Sequence, residues 1–283
     1  MWFNTAAASA GLELPLVYMA QECLHRKTLP PPGPIFEQVE RLAKRKHPLS
    51  MIVQAMVLGR LGKFDEGISM IEQVMEDIYP TKNPNPIHED DFVIDDAWLV
   101  EKPWTPWQVY AWLKESVGDQ AATDKIIEEA AMEYQDVQCL KQFAQIKMLQ
   151  GNLELYEECM NKASMAGDME ASRKLANFYY LTFVDRYPIR GEKTVAATMF
   201  GRIRRRSEYR TMALNWYSLV SLSGDPKACL MVSVLSREDA EIVGRNLDFA
   251  RSDEKLRPLV QDLEANWHDP SYEPRIPVRL LDV

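Results

Sequence analysis

The chain has 283 residues, 46% of them hydrophobic and 27% charged, enough apolar material for a continuous core in an ordinary globular composition. A net charge of −9 and a pI of about 5.1 disfavour general binding to a phosphate backbone, unless a local basic patch offsets them. No apolar run approaches the roughly 18 residues of a bilayer span. The first 25 residues carry neither the basic start of a secretory signal nor the Arg-rich face of a mitochondrial presequence. The expected location is intracellular: the cytoplasm, or the mitochondrial matrix if a targeting segment has been removed.

In chain order, the pattern is helical almost throughout. Leu16, Met19, Ala20, Cys23 and Leu24 fall at helical spacing and predict a first helix over Leu12 to Arg26. Pro30 to Pro34 then breaks the chain, because proline fixes φ and restricts the residue before it. Ile35, Val39 and Leu42 mark a second helix ending in Lys44-Arg45-Lys46, where cations suit the helix dipole. These two helices form an N-terminal region over residues 1–47.

From 48 to 80 the spacing predicts a helix pair, with Ala55 and Leu58 on the first helix and Ile71 and Val74 on the second. Gly62-Lys63-Phe64-Asp65-Glu66-Gly67 is the turn and Pro80 closes the unit. Residues 81–104 read as a connector, with Asn83-Pro84-Asn85-Pro86 followed by His88 to Asp91 and Asp95-Asp96. Nine acids stand against one Lys between Glu72 and Glu101, which attracts basic partners. The alternating ligands and glycine of a calcium loop are absent. Trp98, Trp104, Trp107, Tyr110 and Trp112 follow, and Thr105-Pro106 starts a helix. Core packing explains such aromatics. An aromatic binding groove is the functional alternative, carried by Trp104, Trp107 and Tyr110.

Residues 105–250 then carry further helices: Asp124 to Tyr134, Asp136 to Gln150, and Leu153 to Ala166. Gly151-Asn152-Leu153-Glu154 is placed as Gly62-Lys63-Phe64-Asp65 is, and Ala144 stands seven residues before its Gly as Ala55 does. Ala163 to Gly167-Asp168 and Ala171, with Leu175, Ala176 and Tyr179, has a counterpart in Ala213, Trp216-Tyr217, Gly224-Asp225 and Ala228. Each Gly-Asp ends one helix and caps the next. Small residues at fixed places allow close helix approach, so Ala144, Ala171 and Ala228 are expected to be buried.

The 57-residue distance between these two Gly-Asp turns implies an insertion, about 185–210. Eight Lys or Arg there oppose three acids, with Arg202, Arg204, Arg205 and Arg206 at the centre and Arg186 and Arg190 nearby. A solvated face is the plain reading. Docking on an acidic protein surface, docking on RNA, or an internal clasp to the 88–96 acids are the functional ones. RNA is the weakest of these, since no aromatic platform interleaves the arginines. Residues 251–283 hold a last helix, with Leu256, Leu259, Val260 and Leu263 on one face, preceded by a helix start at Ser236 to Asp239. The three prolines after Asp269 predict an extended tail, packed on the last helix or ordered by a partner.

Cys23, Cys139, Cys159 and Cys229 form no Cys-x-x-Cys pair and read as small buried residues. The sequence holds no phosphate-binding, dinucleotide, nucleophile-elbow or zinc-protease motif, and His25, His47, His88 and His268 are isolated. No enzyme, cofactor, metal site or small-molecule substrate is therefore expected.

The 48–80 segment resembles a tetratricopeptide repeat, with Gly67 standing where that family usually has Ala and without its large aromatic early in the first helix. Residues from Ala163 to about Leu230 resemble the Sel1-like subclass, through Trp216-Tyr217 and Gly224-Asp225-x-x-Ala228. The resemblance implies an all-α solenoid of antiparallel helix pairs. It also implies an adaptor or assembly factor that holds a protein or peptide on the surface of its first helices. The alternative is a structural subunit of a large ribonucleoprotein or respiratory complex, which could be mitochondrial, contacted through the arginines and the tail.

Overall fold

The computed structural model describes residues 13–25, 34–78, 104–189, 204–237, 239–269, 272 and 274–283. Helix makes up 75% of them and no strand occurs among them. The acidic 88–96 stretch, Trp98, Pro30 to Pro32, Arg190 and Arg202 lie outside the described residues. Thirteen α-helices are described: α1 (Glu13–His25), α2 (Pro34–Lys44), α3 (Pro48–Arg60), α4 (Phe64–Ile78), α5 (Pro106–Ser116), α6 (Gln120–Met132), α7 (Val137–Leu149), α8 (Leu153–Met165), α9 (Met169–Phe183), α10 (Arg206–Ser221), α11 (Pro226–Leu235), α12 (Ala240–Ala250) and α13 (Arg257–Ala265). The chain divides within α7 into two compact units, residues 1–139 and 140–283.

The helices are short because the turns between them are strongly specified. Gly62, Gly118, Gly151, Gly167 and Gly224 all have φ between 75° and 87°, a region open to glycine without steric cost. This lets the next N–H fold back onto the departing helix, as Lys63 N does to Leu58 O at 2.9 Å and Asn152 N to Lys147 O at 2.9 Å. The residue after four of these glycines then caps the following helix. Asp119, Asn152, Asp168 and Asp225 each accept, through the side chain, from the backbone N–H three residues on. One residue pair thus stops one helix and starts another.

Lys46, Gln135 and Asp185 make the same reversal without glycine, at φ of 63°, 53° and 59°. The predicted start near Ser236 is corrected by a few residues. Ser236 ends α11, and Asp239 caps α12 by accepting from Glu241 N and Ile242 N. The cap falls there because the Asp239 carboxylate reaches two of the N–H groups left open at the start of the new helix.

In the first unit α2, α3, α4, α5 and α6 each pack on the preceding helix, and α1 also meets α3 as α3 meets α5. The core is mainly aliphatic: Leu16, Val17, Val39, Leu49, Ile52, Val53, Ile71, Val74, Val109 and Leu113 are buried together. Gly59 and Gly67 explain how closely these helices approach. A methyl on Gly59 would lie 2.5 Å from Trp112 and 2.6 Å from Leu113, and one on Gly67 would lie 3.0 Å from the Ala55 carbonyl. At Gly67 an added methyl has little room because α4 runs against the backbone of α3.

In the second unit α9 packs on α8 and α10, α11 on α10 and α12, and α13 on α12. Its core holds more hydroxyl-bearing rings: Tyr156, Tyr179, Tyr209 and Tyr217 are all nearly or fully buried. Ala144, Ala171 and Ala228 are buried as expected, each with no exposed surface. Burial pushes up the thiol of Cys229 here, that of Cys159 to about 11, and that of Cys139 at the end of the first unit, which keeps all three protonated and unreactive at neutral pH. The tail is not simply extended. Tyr272 donates to Asp262 of α13, and a short 3-10 turn, Val278–Leu280, follows. Arg237 gathers the tail's start by donating to the carbonyls of Asn266, Trp267, Asp269 and Tyr272. No described helix is long and apolar enough to cross a membrane.

Candidate functional site

Helices α4, α5 and α6 of the first unit frame a groove of about 590 Å³. Its floor is aromatic. Trp107 and Tyr110 stand three residues apart on α5, hence on one face, and both line it. Tyr134 joins them from the turn after α6 by stacking on Trp107, with ring centroids 4.2 Å apart and planes 22° off parallel. The positive φ of Gln135 belongs to the same turn. Asp136 there accepts from Cys139 N at 2.8 Å and so starts α7.

The rim is acidic. Glu72 and Glu76 come from α4 and Glu129 from α6, against the one cation Lys125 among the lining residues. Tyr110 Oη donates to Glu72 Oε1 at 3.2 Å, while the Lys114 ammonium lies 5.2 Å from the Tyr110 ring centroid. Burial raises the Tyr110 phenol above its ordinary 10. Lys114 pulls it down, Glu72 pushes it up, and the net shift is upward. At neutral pH Tyr110 is therefore a neutral donor that holds Glu72 in place. Trp107 is 3% exposed, and its Nε1 has no hydrogen-bond partner among the described residues. Aromatic faces beside carboxylates attract cations, and most strongly the flat guanidinium of arginine.

The three aromatic candidates are divided by the structure. Trp107 and Tyr110 line the groove. Trp104 instead packs on His25, at 4.7 Å between ring centroids, and its main-chain N–H donates to Oε1 of the buried Gln21 side chain at 3.3 Å. Tyr134, Glu129 and Lys125 were not legible as site residues in the sequence, since nothing local links positions 107 and 134. The periodicity of α6 places Glu129 on a helix without saying which face is covered.

The arginine candidates occupy a different setting in the second unit. Arg204 Nη1 donates to Glu157, both side chains being under one-fifth exposed, and Glu157 also accepts from Tyr179 Oη at 3.0 Å. Burial lowers the Arg204 pKa, but the Glu157 hydrogen bond and charge outweigh it, so the net direction is up. Arg206 donates to Asp185 and to the Phe183 carbonyl, which ties the start of α10 to the end of α9. Arg205 is the N-cap residue of α10, its N–H donating to the Glu208 side chain, and it is exposed, as is Arg186. Helix α10 itself is part of the core, with Tyr209, Ala213, Tyr217 and Val220 buried. Arg204 and Arg206 thus have acidic partners inside the chain, at Glu157 and Asp185.

Among the described residues the chain is all-α, with neighbouring helices packed on one another within each unit, an arrangement compatible with a helical repeat. No protein-family profile matches the chain, and no curated protein sequence does.

Proposed function

We propose that this chain is a non-enzymatic interaction scaffold built from tetratricopeptide and Sel1-like helix pairs in a solenoid. Its α4–α6 groove would hold an extended cationic segment of a partner protein. The observation that carries this reading is the pairing of an aromatic floor with an acidic rim, at Trp107, Tyr110, Glu72, Glu76 and Glu129. The repeated Gly-turn architecture supports the scaffold part. Ala55, Ala111 and Ala144 are all buried seven residues before a turn glycine, at Gly62, Gly118 and Gly151. Packed helices pre-organise such a groove, so little ordering cost falls on the protein side of a complex.

The test is fluorescence anisotropy with short labelled peptides that alternate Leu with Arg, compared with the same peptides carrying Glu. The Arg series is expected to bind and to weaken steeply with salt, as a screened attraction must. Charge reversal at Glu76→Lys with Glu129→Lys removes that binding and leaves the melting temperature nearly unchanged, because surface charges contribute little to folding. Equal binding of both peptide series, or indifference to the double reversal, overturns the reading.

A further inference from the structure

The second unit contains a built receptor that the groove reading does not use. Arg173 and Asn177 stand four residues apart on one face of α9. Arg173 grips the Asp282 carboxylate through both Nη atoms, with Nη2 to Oδ2 at 3.1 Å, and Asn177 Nδ2 donates to the Asp282 main-chain carbonyl at 2.7 Å. One residue of the tail is thus read twice, by side chain and by backbone. Tyr217 of α10 donates to Asn177 Oδ1 at 2.6 Å. That bond uses the amide oxygen and leaves the NH2 turned to the tail. Asn177 and Tyr217 are 2% and 0% exposed, so this orientation is held by the core. Lys227 of α11 adds charge, with Nζ 4.0 Å from Asp282 Oδ1, and the preceding Leu281 is buried.

Two more observations bear on what the site takes. Between the two places where the tail is held, Arg275, Val278 and Arg279 are exposed, whereas Leu280 packs on the core and Leu281 is 5% exposed. The Tyr156 hydroxyl is buried without a hydrogen-bond partner among the described residues, and burial first, then the Tyr187 and Asp282 charges, push its pKa up. The described part of the tail makes no hydrogen bond to this buried group.

We propose that Arg173, Asn177, Tyr217 and Lys227 form a receptor for an extended peptide carrying an aliphatic residue followed by Asp, which the chain's own Leu281-Asp282 fills in cis and a partner's segment of the same chemistry takes over. A bidentate guanidinium selects the planar carboxylate, the amide selects extended backbone, and the apolar site of Leu281 sets the register. Because the tail is tethered, it competes at a high local concentration, and a free ligand meets a site already occupied.

The test uses the full chain and a labelled synthetic peptide spanning residues 274–283. The double variant Leu281→Ala with Asp282→Ala vacates the site. It is expected to bind the peptide at least about tenfold more tightly than the parent, since the tethered competitor is gone. Adding Arg173→Met to that variant abolishes binding, as does Asp282→Asn within the peptide. Equal affinity of parent and double variant overturns the proposal, and so does binding that survives Arg173→Met. Circular dichroism monitors folding throughout. Should the double variant lose its helical spectrum, the milder Asp282→Asn full chain decides in the same assay: a gain in peptide affinity over the parent upholds the proposal, and no gain overturns it.

Discussion

The two units hold short helices together by different means. In the first, glycines at 59 and 67 bring helices into contact, and aliphatic side chains fill what remains. In the second, Arg204 pairs with Glu157, Tyr217 with Asn177, and Arg173 with Asp282, each pair reaching from one segment to another. Dispersion and the hydrophobic effect are non-directional, so the first core is specified by shape. Buried hydrogen bonds are directional and costly when broken, so the second is specified by matching partners. The same contrast separates the candidate sites. The groove of the first unit offers acids outward over a largely buried aromatic floor, whereas the receptor of the second is already satisfied by the tail.

The largest effect expected from breaking this contrast is in the second unit. Glu157→Ala strands the Arg204 guanidinium, whose side chain is only 18% exposed, and should cost about 3 kcal/mol in denaturant unfolding. A loss below about 1 kcal/mol would place that pair with ordinary surface bridges. In the first unit the sensitive change is one of volume. Gly59→Ala puts a methyl against Trp112 and Leu113 and should cost about 1–3 kcal/mol. Gly244→Ala is its control: this α12 glycine has nothing within 4 Å of an added methyl, so the change should stabilise by about 0.5–1 kcal/mol. If both variants melt alike, close approach at Gly59 is not what specifies that crossing.

The smallest expected effect is on pH. Burial raises the Asp282 pKa, but the Arg173 hydrogen bond and charge, with Lys227, bring it below its ordinary 3.8. A depressed carboxylate pKa stabilises the docked tail fully above 3.8 and loses that contribution as pH falls through the docked value. Protection of the tail amides against hydrogen exchange, taken relative to the free-peptide rate at each pH, should accordingly hold at neutral pH and fall only in acid below about 3.8. Asp282→Asn should remove that pH dependence. An acid transition unaffected by Asp282→Asn would assign it to other carboxylates, such as Glu170, held low by its Lys141 hydrogen bond.

What the sequence determined by itself is local. The Gly-Asp turns at 167–168 and 224–225 were legible because a left-handed residue and a capping carboxylate act within a few positions of the chain. The buried alanines followed from their place relative to a turn glycine, Ala171 and Ala228 after those two turns and Ala144 before Gly151. Gly118-Asp119 carries the same pair of residues, with Ala111 seven positions before it, and starts α6 at Gln120, ahead of the Asp124 that periodicity predicts. The turns at Lys46, Gln135 and Asp185 were not legible, because no side chain there announces a positive φ.

Tertiary structure alone decided the rest. Tyr134 meets Trp107 across 27 positions, Arg204 meets Glu157 across 47, and Asp282 meets Asn177 across 105. Helical periodicity tells which face of each helix is apolar, but not which helices share a boundary. A charge such as Arg204 looks the same in sequence whether it faces solvent or a buried carboxylate, since the difference lies in desolvation and in a partner that only the packing supplies.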